Sequence, residues 1–285
     1  MMKPRVDGFS PAYGSDTMVA LESARAGAAE VRSALQGDLG VRFKADADPV
    51  TEADLRSERS IRHVLAAHRA EDRVVAEEQG GALPAAGRVW LVDPLDGTTN
   101  FIHGFPWISV SVALWIDNLP EVGVVVDVTN GDEYVAVAGR GARVNGSPIE
   151  VSSTGSLAEA LVVTGFPYNR GERIGTCQTT FRRALEEVQG IRRLGSAALD
   201  MCMVACGRMD GYWEEDLSPW DMGAGTLLVM EAGGTVTDPL GRPVRPSEPF
   251  VVASNGAIHQ DFLQTLRGEG AVSGGHGRGM PSVSS

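Results

Sequence analysis

The sequence predicts an α+β fold, and three observations carry that expectation. Two helical patterns come first, over 17–35 and from Thr51 onward. Period-two alternation of apolar residues then takes over between Arg73 and Ala138, punctuated by Gly131, Gly139, Gly141 and Gly146, as antiparallel strands joined by tight turns require. From about Val151 strands and helices interleave, which marks a second lobe. The expected organisation is a frayed N-terminus over 1–15, an α+β lobe over 16–150, an α/β lobe over 151–267 and a disordered Gly- and Ser-rich tail over 268–285.

Each element has a local reason. Asp16 can cap the first helix, which is Ala-rich and ends near Gly37. A loop with Lys44, Asp46, Asp48 and Pro49 leads to a second helix at Thr51, with Ala53, Ile61, Val64 and Leu65 facing the core. Strands are expected over 73–76, 89–92, 108–115, 122–128 and 133–138, and Asn145-Gly146 reads as a hairpin turn. Beyond residue 151 come a strand over 161–164, helices over 179–188 and 196–206, and a strand over 211–214. A helix opening at Asp221 and closing at Gly233-Gly234, a strand over 250–253 and a last helix to about 266 complete the series.

Composition narrows the function. A chain of 285 residues, 43% of them hydrophobic, can bury a large core. With 25 Lys and Arg against 37 Asp and Glu, the formal charge of −12 repels nucleic acid, which is excluded as a substrate. Cys177, Cys202 and Cys206 form neither a disulfide framework nor a zinc pattern. No signal peptide and no long apolar run is present, so a cytoplasmic protein without a membrane partner is expected.

The chemistry is concentrated in Asp93-Pro94-Leu95-Asp96-Gly97-Thr98-Thr99-Asn100, directly after the apolar run Val89-Trp90-Leu91-Val92. Two carboxylates at a strand end can hold divalent metal while N–H groups at the glycine turn face a phosphate oxygen. Further acids stand where predicted elements end: Asp48 and Asp54, Glu77-Glu78, Glu214 with Glu215 and Asp216, and Asp221. Asp54 also completes a capping box with Thr51, Glu77-Glu78 also reads as a solvated turn, and Asp221 also suits a helix start. Were Glu77, Asp93, Asp96 and Asp221 to converge, their repulsion would call for two or more divalent cations, and oxygen-only ligation favours magnesium or manganese over zinc. A phosphoaspartate mechanism is excluded, because the residue two before Asp96 is Pro94, which cannot attack phosphorus; water must be the nucleophile. The Gly-rich phosphate loop of nucleotide hydrolases is absent.

These motifs, with Trp220-Asp221-Met222-Gly223-Ala224-Gly225 and Glu231-Ala232-Gly233-Gly234, resemble those of the inositol monophosphatase family, the lithium-sensitive, magnesium-dependent sugar and polyol phosphatases, over roughly residues 16 to 267. The resemblance implies a layered α-β-α-β-α sandwich of the inositol monophosphatase and fructose-bisphosphatase type, usually a homodimer. It implies Glu77, Asp93 and the Leu95 carbonyl as ligands of one magnesium, and Asp93, Asp96 and Asp221 as ligands of a second. A third, weaker magnesium is implied near Glu77. Glu77, Thr98 and Asp54 are then the catalytic candidates, with the Thr98–Asp54 dyad helping to deprotonate the attacking water. The Gly97 and Thr98 amides would hold phosphate, while Asp96, the Ala197 amide, Glu214 and Asp221 would contact the substrate.

The expected reaction is hydrolysis of a small phosphate monoester, foremost inositol 1-phosphate, by direct attack of metal-activated water. Histidinol phosphate is the runner-up, since Glu214, Glu215 and Asp216 equally suit a cation. A bisphosphate would need a second anion pocket, for which Arg192, Arg193 and Arg170 are candidates, although surface or dimer contacts are their commoner meaning. A reading from another class is a regulatory or binding protein that retains the fold. Two departures from the family's pattern are Ala76, where Gly is frequent, and Met222-Gly223, where Ile-Ala or Val-Ala is usual.

Overall fold

Strands and helices follow the alternation of the sequence closely. The structure is a computed structural model that describes residues 14–35, 42–45, 48–167 and 170–269. Residues 1–13 and 270–285, most of the stretches expected to fray, lie outside the described residues, as do the side chains of Lys44, Asp46, Asp48 and Arg170. The order is α1 (Ser15–Ala34), β1 (Arg42–Ala45), β2 (Asp48–Val50), α2 (Glu52–His68), β3 (Arg73–Ala76), β4 (Arg88–Asp96), α3 (Thr98–Ile102), β5 (Ser109–Ile116), β6 (Leu119–Asp127), β7 (Glu133–Val137), β8 (Ala142–Val144) and β9 (Ser147–Ile149). It continues with β10 (Leu161–Thr164), α4 (Arg170–Glu187), β11 (Gly190–Arg192), α5 (Ala197–Ala205), β12 (Gly211–Glu215), α6 (Pro219–Glu231), β13 (Thr235–Thr237), β14 (Phe250–Ser254) and α7 (His259–Arg267).

Seven strands make one sheet in the order β3-β4-β5-β6-β7-β8-β9, five make another in the order β11-β10-β12-β14-β13, and β1 pairs with β2 alone. The larger sheet is antiparallel except at β3–β4, where the connection over 77–87 carries the chain back to run parallel. Asn145 and Gly146, with φ of 50° and 80°, form the expected hairpin turn between β8 and β9.

Helices α1 and α2 cover one face of the large sheet, α5 and α6 fill the space between the sheets, and α4 and α7 pack together over the outer face of the small one. The result is an α-β-α-β-α sandwich of the α+β class, as expected. The middle layer is apolar all round: every residue of α5 is buried, as is the run Met222–Val229 of α6. Close approach there depends on missing side chains. A Cβ on Gly123 of β6 would sit 2.8 Å from the Ala224 carbonyl oxygen. One on Gly223 would lie 3.0 Å from Leu91 Cδ1, so that side chain would have to give way.

Several expectations need correction. Gly14, not Asp16, stands at the start of α1; the Asp16 carboxylate instead receives Arg69 at 2.7 Å and Arg88 at 3.0 Å. Helix α6 opens at Pro219 with Asp221 in its first turn. The segments β1, β2, β11, β13 and α3 were not anticipated. His259 is a core residue, its ring nitrogens each 2.9 Å from the hydroxyls of Thr237 and Ser254, and burial pulls its pKa down to about 4. Among the described residues Cys177, Cys202 and Cys206 form no disulfide, and no helix is long and apolar enough to cross a membrane.

Candidate active site

Strand β4 runs fully buried from Val89 to Asp96 and delivers the central acids. Its ladder with β5 pairs Asp93 with Ser111, then resumes only at Asp96 and Ser109. The intervening Pro94 has no N–H to offer a ladder, and its carbonyl accepts from Ser57 Oγ at 2.7 Å. The Leu95 N–H turns back to Asp93 Oδ1 at 3.0 Å. Gly97 follows with φ of 94°, a left-handed conformation that suits glycine, and starts α3. Thr98 Oγ1 lies 3.0 Å from Asp54 Oδ1 and 3.1 Å from the Leu95 carbonyl oxygen, so its single proton can go to either.

Asp54 answers both readings of its position at once. Its Oδ2 accepts from the Thr51 N–H at 2.7 Å and from the Thr51 hydroxyl, closing the capping box of α2, while Oδ1 faces Thr98. Asp96 is held equally firmly. Its Oδ2 accepts from the Ser196 hydroxyl, from Ser109 Oγ at 3.2 Å and from the Ala198 N–H at 2.8 Å, and Oδ1 accepts from the Ala197 N–H at 3.2 Å. Asp96 thus sits on the N-terminus of α5, where the helix dipole favours negative charge, and the Ala197 amide already points at it. Asp221 accepts from the Ser218 N–H at 2.7 Å in the first turn of α6.

Two further residues hold the frame without contributing to the pocket wall. Glu58, fully buried on α2, accepts from the Glu78 N–H at 2.8 Å, the Gln79 N–H at 3.3 Å and Arg62 Nε at 2.7 Å, and so fixes the turn that carries Glu77. Asn100 Nδ2 lies 2.8 Å from the carbonyl oxygens of both Trp107 and Leu194, tying α3 to the strand-to-helix connection before α5. Asn100 belongs to a motif visible in the sequence, but its partners do not. Glu58 has no local signal at all.

Glu77, Asp93, Leu95, Asp96, Gly97, Thr98, Ala197, Glu214 and Asp221, drawn from five separate segments, line one pocket together with Phe166, Arg193, Gly195 and Leu217. Asp54 stands behind it, beneath Thr98. Burial raises the Asp93 carboxyl well above the usual range, and repulsion from Glu77, Asp96 and Asp221 adds to this. Burial and Glu77 do the same to Asp221, burial raises Asp96 against its hydrogen bonds, and burial likewise raises Asp54. Glu214, partly buried at the pocket wall, is pushed up to about 7 by desolvation despite the Tyr212 hydroxyl that donates to it at 2.9 Å.

Among the described residues no three of these acids are already closed around a common point as a finished cation cage. The donor set nevertheless fits a hard divalent cation: buried carboxylates that raise one another's pKa, plus a backbone carbonyl, with no His or Cys among them.

The profile of the inositol monophosphatase family matches residues 15–271. The chain belongs to the inositol monophosphatase family. It is therefore a phosphatase, a phosphoric monoester hydrolase of a metal-dependent family whose substrates are small phosphate monoesters. A Synechocystis protein named inositol-1-monophosphatase is 41% identical over 251 residues, covering 87% of each chain. The Nus factor SuhB of Pseudomonas aeruginosa is 40% identical over 87% of this chain and 94% of its own. The solved inositol monophosphatase of Anabaena superposes with a TM-score of 0.81 at 38% identity, covering 89% of this chain and 96% of that one.

Proposed function

We propose that the chain hydrolyses inositol 1-phosphate to inositol and phosphate in a magnesium-dependent reaction in which water attacks phosphorus directly. The observation that carries this reading is the meeting of Glu77, Asp93, Asp96 and Asp221 with the Gly97–Thr98 turn in one pocket. Glu77, Asp93, the Leu95 carbonyl, Asp96 and Asp221 would hold two to three cations, magnesium with manganese as a substitute. Bound divalent cations make water more acidic and offset the charge that grows on phosphoryl oxygens.

The chain's own groups supply the remaining work. The Gly97 and Thr98 N–H groups, at the start of α3, would hold phosphate oxygens. When Thr98 Oγ1 donates to Asp54, its lone pairs are free to accept a proton from the attacking water, and the buried, more basic Asp54 carboxylate draws the threonine proton onward. Glu77, which lines the same pocket, would act on that water through the cations it holds. As the water oxygen bonds to phosphorus, the bond from phosphorus to the ester oxygen breaks and that oxygen takes a proton from solvent water to leave as the alcohol, while the inositol hydroxyls face Glu214, Asp221 and Ala197. A carboxylate such as Glu214 accepts from hydroxyls and rejects a leaving group that offers none.

Phosphate release from inositol 1-phosphate should require magnesium and stop with a chelator. Asp96→Asn, measured at saturating magnesium, should lower kcat/KM by about 10–100-fold or more; near-normal turnover would overturn the assignment. A homodimer forms part of the same proposal, and light scattering tests it. A second reading, a regulatory role on the same scaffold, draws on the relative named Nus factor SuhB. Phosphate release that is absent with magnesium present would favour that role.

A further inference from the structure

Acids dominate the charged lining of the pocket. Among the described residues that line it Arg193, an exposed residue on the connection between β11 and α5, is the only basic one. Its guanidinium folds over Gly195, where any Cβ would collide with Nη1, and the Gly195 carbonyl oxygen is only 3.1 Å from where a Cβ on Gly97 would stand. Arg193 and Gly97 line the same pocket, and the charge of Arg193 acts on the carboxyls of Glu214 and Asp200. Arg193 makes no ion pair or side-chain hydrogen bond among the described residues. Its neighbour Arg192 turns away, with Nη1 on the carbonyl of Ile191 at 3.1 Å.

Glu214 lines the same pocket. Its carboxylate rests where a Cβ on Gly165 would overlap it and is steadied by Tyr212. An acceptor and a permanently charged donor thus border the one pocket in which, on the reading above, the leaving alcohol would lie. We propose that Arg193 sorts substrates by the charge of that alcohol, favouring one that carries a second anionic group and penalising one that carries a cation. The inference rests on the reading of the pocket given above, and it reverses the expectation that an acidic stretch around Glu214 welcomes a cationic leaving group.

The test compares kcat/KM for fructose 1,6-bisphosphate, inositol 1-phosphate and histidinol phosphate in the full chain with magnesium. In the wild type the order should be anionic, neutral, cationic once each is set against the same ester in Arg193→Ala. The ratio of bisphosphate to histidinol phosphate should fall by about 10-fold or more in Arg193→Ala, as for one lost charge-assisted hydrogen bond. Arg193→Lys should keep most of that ratio. An active wild type whose ratio is indifferent to Arg193→Ala, or a loss equal for all three esters, overturns charge selection alone. A wild type that releases phosphate from none of them overturns the reading of the pocket and this inference with it.

Discussion

Asn100 shows how much one side chain can settle. Its two N–H donors are matched to the carbonyls of Trp107 and Leu194, with Gly195 O a third acceptor at 3.3 Å. An aspartate of the same shape would bring a carboxylate against three carbonyl oxygens. Asn100→Asp should therefore be less stable than Asn100→Ala, by about 1–3 kcal/mol; thermal unfolding in which the two variants reverse order would refute this. Glu214 gives a second test at the same scale. Its pKa rises from 4.5 to about 7 on folding, so its contribution is fully present below pH 4.5 and is lost as pH climbs through 7. At about 1.4 kcal/mol per pH unit this sets a ceiling of roughly 3 kcal/mol. In chelator, Glu214→Gln should melt above the wild type at pH 8 and lose that advantage near pH 5.

At the scale of elements, the site depends on turns fixed from a distance. Glu58 on α2 holds the Glu77-Glu78 turn after β3 through two N–H groups, and also pairs with Arg62. Glu58→Ala should destabilise the fold by about 3 kcal/mol and weaken magnesium binding by about 10–100-fold, as calorimetric titration can show; unchanged affinity would mean that the turn keeps its shape unaided. What the sequence revealed and what it hid divide along the same line. The Thr51 capping box and the Asn145-Gly146 turn were legible because their partners are close in the chain, and the Asp93–Asn100 motif because its residues are contiguous, although the partners of Asp96, Thr98 and Asn100 are distant. Helix α3 was too short to show a period, and β11 and β13 become strands only beside β10 and β14. Asp16 suited a cap locally, yet Arg69 and Arg88 claim its carboxylate from across the fold. Arg193 is exposed, as its surface reading expects, and it also borders the pocket, which its local sequence does not show.

Over the whole molecule the five layers decide which parts can move independently. The central helices α5 and α6 pack on both sheets, and their beginnings carry Asp96's anchoring amides and Asp221. The acids of the pocket are raised together by burial, so the chelated protein should lose stability as pH rises above their ordinary value of 3.8 and on through their raised folded values. Magnesium should raise Tm most at alkaline pH, by about 2.7 kcal/mol of stability when present at 100 times its Kd. A Tm shift that is equal at pH 5 and pH 8 would show that these carboxylates are not the groups that bind it.

The gap in pairing between Asp93 and Asp96 has one more outcome. The Leu95 amide hydrogen is fastened to a neighbouring carboxylate and not to the adjacent strand. Its exchange with deuterated solvent will thus follow the ionisation of that single acid, while the flanking amides of β4 wait for the sheet itself to open.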